Sequence, residues 1–174
     1  MPSTFTTNFA IEKPGTGEQS GSWGTSLNDN FDIIDSAISG AITITVSAST
    51  YTLTTANGSV DAGQNKSLIF TSGSDIGADT TVTISPNDAE KIYFVKNSLA
   101  GSRSLILSQG SGSNVTILTG KSAIVSADGA GGSAAVTKLF NDVDLNSLTL
   151  STSLPVSSGG TGQEPIWDWE RRQY

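Results

Sequence analysis

Between residues 41 and 140, apolar and polar residues alternate in nine short runs with the period of a β-strand. The runs are AITITVS, TYTLTT, KSLIFTS, TTVTIS, KIYFVKN, RSLILSQ, NVTILTG, SAIVSA and AAVTKLF. Stretches rich in Gly, Asn, Asp and Ser separate them, and those residue types favour turns. The alternation is plain at Leu68 and Phe70 and at Val82 and Ile84. Ile92 and Phe94 oppose Tyr93 and Val95, so that run is apolar on both faces and is expected at the centre of a sheet. The spacing predicts a β-sandwich or barrel-like domain over residues 41–140.

Before this domain the pattern changes twice. Phe5, Thr7, Phe9 and Ile11 alternate with Thr4, Thr6, Asn8 and Ala10, which predicts an extended arm. With no partner strand nearby in sequence, such an arm must find one elsewhere, on its own subunit or another. KPGTGEQSGSWG then interrupts regular structure, closing a first segment over 1–24. Residues 25–40 read as a helix, capped by Thr25 or Ser26 and stopped at Gly40. Its apolar positions Leu27, Phe31, Ile34 and Ile38 are spaced four, three and four, as in the seam of a coiled coil. Ile33 and Ala37 widen the stripe, so packing against a globular core is the alternative. A helix of about 14 residues is marginal alone in water and needs partners on either reading.

Composition narrows the function classes. Ser and Thr supply 48 of 174 residues while charged residues reach only 14%, favouring β-structure over a helical globule. The thin apolar share of 36% suits a chain that completes its core by oligomerising. A net charge of −7 with nine scattered basic residues speaks against nucleic-acid binding, which needs clustered Lys and Arg. No apolar run nears the roughly 20 residues that span a bilayer, so membrane insertion is not expected. The N-terminus lacks the basic-then-apolar pattern of a secretory signal.

The end of the chain differs from the rest. Residues 141–162 set Val143, Leu145, Leu148, Leu150 and Leu154 among small polar residues, too sparsely for a core in one copy. They read as a shaft-like linker whose leucines three copies could bury together. Residues 163–174 concentrate Trp167, Trp169, Arg171, Arg172 and Tyr174. This tail is expected either to dock into pockets on a partner or to stack on sugar rings.

Catalytic chemistry is sparse. Histidine and cysteine are absent, which removes the commonest general base, the Ser-His-Asp arrangement, and imidazole or thiolate metal ligands. TGKS at 119–122 ends like a phosphate-binding loop but lies between two strand runs, with Val115 where the first glycine belongs. Asp142, Asp144 and Asn146 open like a calcium loop, yet Ser147 and Ser153 stand at the positions of the required Gly and Glu. Asp88 with Glu90, or Asp75 with Asp79, are ordinary turn formers in Gly- and Ser-rich loops, although carboxylate pairs can serve a glycosidase. No catalytic residue, metal site or cofactor is expected.

One long stretch carries a resemblance. IEKPGTGEQSGSWGTSLNDNFDIIDSAI, residues 11–38, resembles the N-terminal segment of tail-fibre-like proteins of tailed bacteriophages. In those proteins TG-x-x-SG-x-WG precedes N-x-N-[FL]-x-x-ID-x-AI. Thr16, Gly17, Ser20, Gly21, Trp23 and Gly24 match the first element, and Asn28, Asn30, Phe31, Ile34, Asp35, Ala37 and Ile38 the second. KSLIFTSG, KIYFVKN and GKSAIVSADG are similar in style to the small β-domain that follows there, and LPVSSGGTG at 154–162 resembles the shaft linker.

The resemblance implies a non-enzymatic, homotrimeric virion component, made in the host cytoplasm. Its partners would be itself and other tail, baseplate or fibre proteins. Longer fibres continue into a receptor-binding region where this chain ends, so a short tail fibre or fibre adaptor involved in host attachment is expected. Alternatives are a glycan-binding receptor module, with host surface glycan as partner, and a head or baseplate decoration. On this reading Phe5, Phe9, Ile11 and Trp23 anchor the arm to the virion, and Leu27, Phe31, Ile34 and Ile38 form a three-helix seam.

Overall fold

The computed structural model describes residues 2–141. The linker after Asn141 and the aromatic tail with Trp167, Trp169, Arg171, Arg172 and Tyr174 lie outside the described residues. The described chain is mainly β, with one α-helix.

All nine alternating runs form strands: β3 (Ala41–Thr45), β4 (Thr50–Leu53), β5 (Ser67–Thr71), β6 (Thr80–Ile84), β7 (Glu90–Ser98), β8 (Leu105–Ser108), β9 (Val115–Ile117), β10 (Ser122–Asp128) and β11 (Val136–Lys138). They divide between two sheets. One has the order β11-β10-β7-β5-β3 and the other β4-β6-β8-β9. From β3 to β8 the chain alternates between the sheets at every step, and within each sheet these strands run parallel. Ala41 therefore lies opposite Ser67, and Ser67 opposite Phe94. This is a coil wound through two layers, each strand crossing over by way of a strand in the other sheet. The winding ends in antiparallel pairs, β8 with β9, β7 with β10, and β10 with β11.

The period-2 pattern sends alternate side chains into the space between the sheets. Leu68 and Phe70 of β5, Tyr93 and Val95 of β7, Val82 and Ile84 of β6, and Leu105 and Leu107 of β8 share one core. Burial of this kind contributes about 25 cal/mol per Å² of apolar surface removed from water. Two polar groups inside are fully engaged. Asn97 donates through Nδ2 to the carbonyls of Arg103 and Ile117, each at 2.8 Å, while its Oδ1 accepts from Leu99 N–H at 3.0 Å. The Tyr93 hydroxyl donates to the Gly63 carbonyl at 2.6 Å, and burial pushes its pKa up. β7 is central, as its sequence predicts, but its second apolar face, Ile92 and Phe94, lies open to solvent.

The N-terminal segment departs from expectation. It is not an extended arm: β1 (Thr4–Phe5) pairs antiparallel with β2 (Glu12–Lys13) in a hairpin. The reversal rests on Ala10, held at φ 54, whose N–H donates to the Thr6 carbonyl at 3.0 Å. Alanine enters that left-handed region only at some cost, which the fixed surroundings must offset. The hairpin lies against its own subunit through Gly58 N–H to Ala10 O at 2.8 Å, Gln64 Nε2 to Phe9 O at 2.9 Å, and Glu90 N–H to Asn8 Oδ1 at 2.9 Å. The partner strand missing in the sequence reading is the segment's own second half.

Candidate assembly surface

The helix α1 runs Trp23–Ser39, beginning two residues before Thr25, with Ser22 as its N-cap residue. No side chain caps its start, so neither Thr25 nor Ser26 performs that role. Gly40 ends it in an extended conformation rather than a left-handed one. Glycine is required there for space: a Cβ would lie 2.5 Å from the Ser36 carbonyl oxygen and 2.6 Å from Asn65 Oδ1.

One face of α1 holds the body. Ile33 is fully buried, and Asn30 is buried beside the hairpin. Asn30 Nδ2 donates to the Glu12 carbonyl at 2.9 Å, and its Oδ1 accepts from Glu12 N–H at 2.8 Å. The side-chain amide thus mimics a neighbouring strand and ties β2 to the helix. The pattern gives no sign of this, since an Asn amid aspartates reads as a solvated position.

The expected seam lies elsewhere on the helix. At roughly 3.6 residues per turn, Leu27, Phe31, Ile34 and Ile38 fall about 100–160° round the helix from Ile33. Phe31 is 57% exposed and Ile38 70%, with Leu27 and Ile34 exposed as well. Trp23, 65% exposed, extends the same stripe by one turn. It therefore lines up with the seam rather than with Phe5, Phe9 and Ile11, with which the sequence reading grouped it. Five large apolar side chains in one row have no cover within the described chain, and packing among the described residues does not account for them. The core-packing alternative applies to Ile33 and its neighbours and not to the stripe.

Comparison with family models, with curated proteins and with solved structures finds no match. The surface is therefore read from its own geometry.

The three arm residues are dispersed. The Phe5 ring lies against Gly58, where a Cβ would stand 3.1 Å from it and the ring would have to give slightly. Ile11 is partly buried beside β2. Phe9 covers the ammonium of Lys91, which stands 4.0 Å from the ring centroid. Lys91 itself is 3% exposed, and its Nζ has no hydrogen-bond partner among the described residues. Desolvation lowers its pKa to about 8. The aromatic face returns part of the lost solvation.

Of the carboxylate pairs considered for hydrolysis, Asp75 and Asp79 are engaged in loop structure, while Glu90 opens strand β7. Asp75 pairs with Arg103 at 2.7 Å and 2.9 Å and accepts from Gly77 N–H at 2.9 Å. Those hydrogen bonds, the guanidinium first, bring its carboxyl down to about 2. Asp79 accepts from Ser104 N–H at 2.7 Å. TGKS forms the turn from β9 to β10, with Gly120 at φ 72. Among the described residues no three His, Cys, Asp or Glu side chains are placed to hold a metal ion. The calcium-like run at 142–153 lies outside them.

A second surface went unread in the sequence. The outward side chains of β5, β7 and β10 form a shallow groove of about 640 Å³ lined by Ile69, Phe94, Ile124 and Phe140, with Lys96 and Lys138 in its wall. Lys66 stands over the Phe94 ring at 5.8 Å. These residues are scattered along the chain, and only the strand order brings them together.

Proposed function

We propose that this chain is a structural virion protein of a tailed bacteriophage: a homotrimeric short tail fibre or fibre adaptor that attaches to the tail and takes part in host attachment. The exposed stripe from Trp23 to Ile38 carries the reading. Three copies packed about Leu27, Phe31, Ile34 and Ile38 would bury it in a three-helix seam, with Trp23 at its outer end. The resemblance of residues 11–38 and 154–162 to fibre proteins supports the same assembly, and the role is non-enzymatic.

The folded hairpin changes how attachment to the particle would work. Phe5, Phe9 and Ile11 lie on their own subunit, so the hairpin would present a preformed surface to the tail rather than an arm that adds a strand to a neighbour. The chain would be made in the host cytoplasm and act in the virion.

Sedimentation equilibrium provides the test. Wild-type protein at micromolar concentration is expected at three times the mass of one chain, and Phe31→Asp at the mass of one chain with its β-sheet circular dichroism retained. A wild-type monomer would reject the reading. Antibody labelling of intact particles is expected to place the protein on the tail.

A further inference from the structure

We infer that the groove on the five-stranded sheet is the receiving half of a contact between copies, and that its occupant is the acidic flank of α1 from a second copy. The inference rests on the homotrimer proposed above and adds a second, chemically distinct interface to it.

The groove has an unusual charge for this chain. The protein carries a net charge of −7 and nine basic residues, yet two of those, Lys96 and Lys138, line the groove, and Lys66 borders it over the Phe94 ring from the adjoining pocket that also holds Glu90 and Asp128. No carboxylate lines the groove. The floor is apolar, with Phe94 46% and Phe140 67% exposed. None of the three lysines is in an ion pair among the described residues. A concave apolar floor with free ammonium groups suits a partner that is apolar in the middle and anionic at the side.

Helix α1 presents that combination. Asp32 and Asp35 are exposed; by the helical repeat Asp35 lies opposite Ile33 and next to Phe31 and Ile38, with Asp32 beside it one step further round. Neither is in an ion pair among the described residues. Placing the stripe on a three-fold axis leaves each helix with its own body on one flank. The Asp32–Asp35 flank then turns toward the next copy, which is the arrangement a closed ring of head-to-tail contacts requires. The C-terminal turn of α1 already borders this sheet face in its own subunit, where Ala37 and Ile92 line one pocket. Groove and helix therefore sit close enough on the molecule for a symmetric neighbour to bring them together. The apolar seam would supply most of the affinity, and the aspartate–lysine contact would set the rotation of one body against the next.

Charge reversal tests this on the full-length chain, using sedimentation equilibrium at low and at moderate salt. Asp32→Lys with Asp35→Lys, and separately Lys96→Glu with Lys138→Glu, are each expected to weaken the trimer about tenfold or more. Combining all four reversals is expected to restore most of the loss, and the wild-type contact is expected to weaken as salt screens it. Thermal melts of the separated single copies control for folding. The inference is overturned if both double variants stay trimeric at wild-type affinity, or if the combined variant recovers nothing. In the first case a trimer that Phe31→Asp still dissociates keeps the seam and assigns the groove to a different partner. A wild-type monomer overturns the assembly reading itself.

Discussion

Lys91 shows how much one side chain can say about conditions. Its ammonium is buried under Phe9 and has no hydrogen-bond partner among the described residues, and desolvation lowers its pKa from 10.5 to about 8. The unfolded chain therefore holds this proton more tightly than the folded one. Stability rises with pH wherever the unfolded state binds more protons, here between about 8 and about 10.5. The slope from this group is at most about 1.4 kcal/mol per pH unit. Denaturant titrations across this range are expected to show the rise in wild-type protein and its loss in Lys91→Met. A wild-type stability that is flat or falling over the same window would count against a buried ammonium. The sequence gives no hint of this site, because KIYFVKN places Lys91 beside a strand's apolar core without showing that the hairpin will fold over it.

At the scale of elements, the helix and the hairpin depend on each other through a single amide. Asn30→Ala removes both hydrogen bonds to Glu12 and leaves two backbone groups to find water. The expected loss is about 1–3 kcal/mol. Cleavage by a nonspecific protease within residues 14–22 is expected to quicken, while β7 and β10 keep their protection from amide exchange. Unchanged cleavage would mean that the hairpin is held mainly by Gln64 and Asn8.

The sequence displayed these elements unevenly. Each of the nine alternating runs between residues 41 and 140 became a strand, because a side-chain period of 2 is the same in any sheet. The period is blind to strand direction, so the parallel winding through Ala41, Ser67 and Phe94 could not be read from it. Phe5 to Ile11 showed strand alternation but reverses at Ala10, a turn that no Gly or Pro marks. The helix begins two residues early because Gly24, read as part of a breaker, sits in its first turn. The stripe on α1 was legible since its members are near neighbours in sequence. The lysine-rimmed groove was not, because β7 meets β5 on one side and β10 on the other only once folded.

The whole body behaves as a stack in which each coil buries the next. Phe70 is fully buried in the middle coil, with β3 and β7 on either side of its strand. Phe70→Ala is expected to cost about 3–5 kcal/mol. Amide exchange in β3 and β7 is expected to accelerate together, since neither can hold its inner face without β5. Acceleration confined to one of them would show that the coils are separable.

The same winding acts as a measure of length. Helix α1 passes straight into β3 at Gly40, and the antiparallel strands β9 to β11 finish the stack. A coil added between these points would leave both terminations unchanged and lengthen the body by one strand spacing, about 4.8 Å. A protein built on this plan can therefore set the distance between helix α1 and strand β11 in steps of fixed size, by counting coils.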